Sequence, residues 1–147
     1  MTIKLKQATI KDIYFFFKLR NEYSTRKYFF NTRYIKYINH VKWYVKNLEN
    51  KSTILIVGLN NKKKIGIIKF FKKKQFTNVS IIIDKKFRNR GYGTILLKKA
   101  EKLIKTKTTL ISKVKKKNKR SIKIFIKNNY KIVKTSNVYI YKKLINF

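Results

Sequence analysis

Apolar and polar positions alternate over residues 3–8, which predicts a strand. Thr9 with Asp12 three residues on reads as a helix N-terminus. Ile10, Ile13 and Phe17 then set a helical stripe up to about Arg20. A polar, aromatic stretch runs from Asn21 to Lys36. A second helix is predicted over 38–49, with Val41, Tyr44, Val45 and Leu48 as its core stripe and His40, Trp43 and Asn47 on the other flank. Residues 53–59 and 64–71 predict a hairpin that turns at 60–63, and Val79 to Ile83 a third apolar strand. The loop 84–91 leads into a helix from Tyr92 to about Lys105, with Ile95, Leu96, Ala100, Leu103 and Ile104 on its inner side. Residues 108–114 are a strand. Asn118 caps a short helix that ends at Asn128-Asn129, a pair that tolerates the left-handed conformation. Two last strands fit 130–135 and 137–143. The order βααβββαβαββ implies an α/β fold with a mostly antiparallel sheet flanked by helices, in a single domain over residues 1–147.

Composition narrows the chemistry. The chain has no cysteine, so it holds no disulfide and no thiolate nucleophile. A single histidine leaves little room for a protein metal site, and none is expected. No segment reaches the roughly 18 uninterrupted apolar residues of a membrane span, and the first residues lack the apolar core of a signal peptide. These features point to the cytoplasm, with no membrane partner.

Charge changes the picture most. The formal net charge is +35, from 40 basic and 5 acidic residues. Such a chain attracts nucleic acid and other anions. Yet the cations are spread from Lys4 to Lys143 rather than gathered in one stripe, and 34 are lysines against 6 arginines. Specific base readout favours the arginine fork. The charge therefore reads as solvated background that favours anionic ligands, with no specific nucleic acid implied.

One segment concentrates residues that are rare elsewhere. Two of the four glycines and two of the six arginines lie in Arg88-Asn89-Arg90-Gly91-Tyr92-Gly93, between an apolar strand and the helix that opens with Thr94-Ile95-Leu96-Leu97. Glycine lets backbone N–H groups approach an anion and adopts positive φ. A helix N-terminus adds free donors and a positive dipole end. Flanking arginines add bidentate hydrogen bonds. Together these describe a pyrophosphate cradle. It is neither a dinucleotide fingerprint, whose third glycine is missing, nor a P-loop.

The run resembles the Q/R-x-x-G-x-G/A signature of the GNAT superfamily of N-acetyltransferases, with Arg88, Gly91 and Gly93 at its fixed positions. Asn118 to Tyr130 resembles the family's later motif, with Asn129 where glycine is usual. The resemblance implies acetyl-CoA as co-substrate. Residues Arg88 to Thr94 would hold its pyrophosphate. Its pantetheine arm would lie along Ile81 to Ile83, flanked by Asn118, Ser121 and Phe125. A backbone N–H of that strand would polarise the acetyl carbonyl, and positioning of two bound reactants would supply much of the acceleration. Many relatives carry tyrosine at the position of Phe125 to protonate the departing thiolate; phenylalanine cannot do so.

The acid–base candidates are few. Asp12 and Glu101 read as helix-surface residues and Glu49 lies near a helix end. Asp84 closes the strand beside the cofactor, and His40 has a suitable intrinsic pKa; both are candidate bases. The stretch containing Arg20, Asn21, Arg26, Asn31, His40 and Trp43 resembles the branch that acetylates nucleotide-linked amino sugars. In that reading Arg20, Arg26 or Arg33 meets the phosphates and a flat base or sugar stacks on Trp43 or a tyrosine. Acetylation of a protein N-terminus or lysine, and non-enzymatic binding of nucleic acid, are the alternatives. The partner expected is an anionic small-molecule amine, with a homodimer open.

Overall fold

The computed structural model describes residues 2–135 and 137–147. Seven strands form one sheet: β1 (Ile3–Gln7), β2 (Thr53–Asn60), β3 (Lys63–Lys72), β4 (Thr77–Ile83), β5 (Thr108–Lys115), β6 (Lys131–Thr135) and β7 (Val138–Ile145), in the spatial order β1-β2-β3-β4-β5-β7-β6. Every neighbouring pair is antiparallel except β4 and β5. The helices are α1 (Ile13–Asn21), α2 (Tyr23–Arg26), α3 (Tyr37–Glu49), α4 (Tyr92–Glu101) and α5 (Lys119–Lys127). The expected α/β class, the mostly antiparallel sheet and, broadly, the order of elements along the chain hold. The departure is α2, a single turn inside the stretch read as irregular, too short for any hydrophobic period to announce it.

Alternation along the strands sends side chains to two cores. Ile56, Ile68, Phe70, Val79, Leu110 and Tyr141 pack with Leu96, Leu97 and Ala100 of α4 and Phe125 of α5. Leu55, Val57 and Ile67 face the other way, against Phe16 and Leu19 of α1 and Tyr44 of α3. The stripe of the first helix is therefore rotated from the expected one: Ile10 sits in a 3-10 turn, Ile10–Asp12, and is 57% exposed, while Phe16 and Leu19 are buried. Helix α4 stops at Glu101, so Leu103 falls in the following turn and faces solvent.

Two carboxylates expected at the surface are buried. Asp12 completes a capping box with Thr9 and pairs with Lys6 and with Lys64, the latter at 2.8 Å. Glu101 accepts from the Tyr130 hydroxyl at 2.8 Å and from Lys143 Nζ at 2.9 Å. Both were misplaced because their partners lie far along the chain or on another element. A buried carboxylate persists only when such partners replace water.

Candidate functional site

Strands β4 and β5 are in register only at Thr77↔Leu110 and Asn78↔Ile111. A hydrogen bond between the Thr77 and Thr108 hydroxyls, 2.9 Å, lies at this joined end. Beyond it the strands splay, and Val79–Ile83 no longer pairs with β5 while remaining paired with β3. The splay leaves strand-edge N–H and C=O groups facing a gap, where an extended amide chain can complete the ladder. The gap widens into a cleft of about 1110 Å³.

One wall is the loop that follows β4. Asn89 and Gly91 are both left-handed, at φ 61° and 79°. Gly91 is the N-cap of α4, and a Cβ built on it would meet nothing within 4 Å. Its requirement is conformational, and the space beside it is open. The first helical N–H groups, from Tyr92 to Thr94, have no carbonyl one turn back and end at this opening. The geometry fits a phosphate cradle made of backbone donors at a helix N-terminus.

Gly93 has a different reason. A Cβ there would collide with Ile124 Cδ1 of α5, so this glycine lets two helices meet. Asn128 reinforces the contact, donating to Thr94 O at 3.2 Å and Ile124 O at 2.9 Å. The opposite wall is α5, where the Asn118 side chain accepts from Ser121 N as an N-cap. Tyr92 turns inward and its hydroxyl accepts from Asn60 Nδ2 at 2.9 Å, so only its backbone is free for a ligand. Arg90 is exposed and does not line the cleft.

Thus the cleft brings together Ile81, Ile83, Arg88, Asn89, Gly91 to Thr94, Asn118, Ser121 and Phe125. Phe125 is 1% exposed, stacked on Tyr141 with ring centroids 5.7 Å apart, and its ring belongs to the core.

The structure does not bring the two candidate bases to this cleft. Asp84 caps the short turn Lys85–Phe87, accepting from Lys86 N at 3.0 Å, with Lys18 Nζ at 3.7 Å. His40 is buried among Phe17, Trp43 and Tyr44, and its Nε2–H donates to Ile13 O at 3.0 Å. Burial lowers its pKa, the bond to Ile13 partly opposes this, and the Arg20 charge lowers it further. Both residues act as structural ties.

The expected acceptor residues are also ties. Arg20 stacks on Phe29 at 4.0 Å and donates to Asn31 O. Asn21 exchanges two 2.9 Å hydrogen bonds with the backbone of Ile35. Arg26 donates to Asn21 O and Thr32 O, and the Asn31 side chain accepts from Arg33 N. Trp43 covers Lys69, outside the cleft. These residues lace the segment 27–36 into shape, and that segment presents Tyr28, Phe29 and Phe30 to the cleft instead. Phe30 lies in the stretch that carries the acceptor resemblance and a tyrosine is expected to stack there, but Tyr28 and Phe29 were not singled out. Their one signal was their place in an arginine-rich stretch with no apolar period.

The cleft lining also includes Lys113 and Lys142. Ile111↔Lys142 and Lys113↔Ile140 are paired across β5 and β7, so the two lysines sit diagonally on the sheet face away from α5. Among the described residues, every charged one lining the cleft is a lysine or arginine.

Comparison with known proteins agrees with this geometry. No curated protein matches the chain. Among solved structures, a domain from Methanocaldococcus jannaschii superposes with a TM-score of 0.81 at 21% identity, covering 98% of this chain and 99% of that one. A GNAT-family acetyltransferase from Streptococcus pneumoniae gives 0.77 at 18%, covering 99% and 100%. Spermidine N-acetyltransferase from Vibrio cholerae, solved with CoA and spermine, gives 0.81 at 14%, covering 97% and 94%. Identities this low establish the shared fold. The model of the Acetyltransferase (GNAT) family matches residues 14–130, a span that runs from α1 through the splayed strands and the α4 cradle to the end of α5, and the chain belongs to that family of acetyl-CoA-dependent acyltransferases.

Proposed function

We propose that this enzyme transfers the acetyl group of acetyl-CoA to the primary amine of an anionic acceptor, namely a nucleotide-linked amino sugar. The observation that carries this reading is the lining of the cleft, whose charged residues are all cationic. A polyamine or aminoglycoside needs carboxylates to bind its ammonium groups, and none lines this cleft. A nucleoside diphosphate brings charge of the opposite sign, which Lys113 and Lys142 can meet, and flat rings that Tyr28, Phe29 and Phe30 can stack against. Arg20 and Arg26, engaged in holding the 27–36 segment, are not needed for that role.

In the reaction the neutral amine nitrogen forms a bond to the thioester carbonyl carbon, the C–S bond breaks, and CoA leaves as its thiolate while the nitrogen loses a proton to solvent. In this reading an edge N–H group of β4, unpaired with β5 beyond Asn78, polarises the carbonyl oxygen. A CoA thiolate is a fair leaving group, so a phenylalanine at position 125 does not block the step.

The test is free-CoA release measured with a panel of UDP-amino sugars, spermidine, amino acids and peptides. Release with a UDP-amino sugar and none with spermidine is expected. Turnover of spermidine with no turnover of any nucleotide sugar overturns the acceptor assignment. Intact-mass analysis of incubated proteins reads the alternative of polypeptide acetylation.

A further inference from the structure

Arg88 stands at the first position of the cofactor loop, yet its guanidinium turns away from α4. Its Nε donates to Ile83 O at 3.0 Å, its Nη1 to Ser24 Oγ at 2.6 Å and its Nη2 to Thr25 Oγ1 at 2.8 Å. The two hydroxyls belong to α2, which follows directly on α1, a helix packed on the sheet face opposite α4 and α5. From the other lip of the cleft, Arg120 Nη2 reaches Ser24 O at 3.3 Å, and the guanidinium lies over the Tyr28 ring at 5.6 Å. The segment from Tyr23 to Phe30 is therefore a strap across the splayed strands, gripped at Ser24 and Thr25 by Arg88 from the β4 side and at Ser24 and Tyr28 by Arg120 from the α5 side.

We infer that Arg88 is a positioning residue for the acceptor: it pins the strap whose Tyr28, Phe29 and Phe30 form the acceptor wall, and it does not serve the cofactor's phosphates. Three convergent bonds, to one carbonyl and two hydroxyls, use the planar fork of arginine in a way that the single ammonium of lysine cannot reproduce. The anion cradle is built from backbone N–H groups at residues 89–94 and stands without this side chain. Burial and the nearby Arg120 charge disfavour the charged guanidinium, while Glu22 and Asp84 partly oppose them. The pin depends on its hydrogen-bond acceptors, and removing either side of the contact loosens the strap at Ser24 and Thr25. Misplacement of a bound reactant by about 1 Å costs up to about a hundred-fold in rate.

The inference rests on the reading that the amine enters beneath this strap, so the wild-type acceptor is established first by the CoA-release panel. Failure of the acceptor assignment appears there, in the wild type, and whichever amine is turned over becomes the probe. Two variants are compared, Arg88→Gln and the double variant Ser24→Ala with Thr25→Val, which leaves Arg88 in place. Acetyl-CoA affinity is read by calorimetry, and acceptor KM and kcat by CoA release. Both variants are expected to raise acceptor KM about ten-fold or more while acetyl-CoA Kd stays within about two-fold. An acetyl-CoA Kd weakened about ten-fold in Arg88→Gln, with acceptor KM unchanged, overturns the proposal. Should Arg88→Gln fail to fold, an unchanged acceptor KM in the hydroxyl variant overturns it equally.

Discussion

At Asp12, burial opposes charge more directly than at any site in the cleft. Burial pushes its carboxyl pKa up, but hydrogen bonds from Lys6, Lys64 and the Thr9 backbone N–H outweigh that and hold it at about 2, against an ordinary 3.8. A folded-state pKa below the unfolded one means stability that is present above about pH 4 and lost as pH falls toward about 2. The shift corresponds to something on the order of 2 kcal/mol. Asp12→Asn is thus expected to lose about that much in urea unfolding near neutral pH, with the gap to wild type closing as pH falls below about 3. Equal stability of the two proteins at neutral pH would refute the assignment. The same carboxylate is one of the causes that push the Tyr44 phenol up, after burial, while the Tyr44 hydroxyl donates to Thr9 O at 2.7 Å. The capping box, two lysines and a core tyrosine form one unit at the start of the first helix. None of its long-range partners is adjacent in sequence, so the sequence shows Asp12 as a cap on a helix surface and not as a buried ion pair.

The junction from β4 through the loop into α4 separates two kinds of glycine. Gly91 needs its left-handed backbone but has free space, whereas Gly93 has an ordinary helical position but no space, because Ile124 packs on it. Gly91→Ala is expected to cost about 1–2 kcal/mol of backbone strain and to weaken acetyl-CoA binding, since its Cβ enters the open side of the cradle. Gly93→Ala must displace the Ile124 side chain, with an overpacking cost of about 1–3 kcal/mol. Paired with Ile124→Ala, it should regain stability, while the Gly91 variant should gain nothing from that partner change. Thermal unfolding of the three variants and the double variant measures this coupling, and an additive double variant would sink it. The elements themselves were legible: strand alternation, the Asn118 cap and the strand–Gly–helix run all place what the structure shows. Other features depend on geometry between elements. The splay of β4 from β5 has no signature in either strand, α2 is a single turn, and the aim of the Arg88 side chain depends on hydroxyls more than sixty residues away. Helical spacing put His40 with Trp43, which is correct, but spacing alone cannot tell a side chain facing a cleft from one bonded to the carbonyl of another helix.

For the molecule as a whole, the net charge of +35 sets the conditions under which the site works. Four of the five carboxylates, Asp12, Glu22, Asp84 and Glu101, are each within 4.0 Å of a lysine. The great majority of the cations therefore have no acidic neighbour, and several lie instead over aromatic rings, as Lys69 does over Trp43 and Lys143 over Tyr130. The net electrostatic effect on the fold is repulsion. Its range falls from about 30 Å at 0.01 M salt to about 8 Å at 0.15 M. Raising sodium chloride over that interval should raise the Tm, because screening relieves repulsion among many cations and weakens only a few pairs. The same screening acts oppositely on an incoming anionic acceptor, whose encounter with a cationic cleft is steered by the field. Over the same salt range kcat/KM for a UDP-amino sugar should fall while that for an uncharged amine, at a pH where it is neutral, stays level. Random DNA retained at low salt should be released by about 0.15 M, since contacts that are purely to phosphate lose affinity steeply with salt. If Tm falls as salt rises, the lysines are paired more effectively than their positions allow. If DNA stays bound at about 0.15 M, the charge has a function of its own and is not the background against which the cleft selects its acceptor.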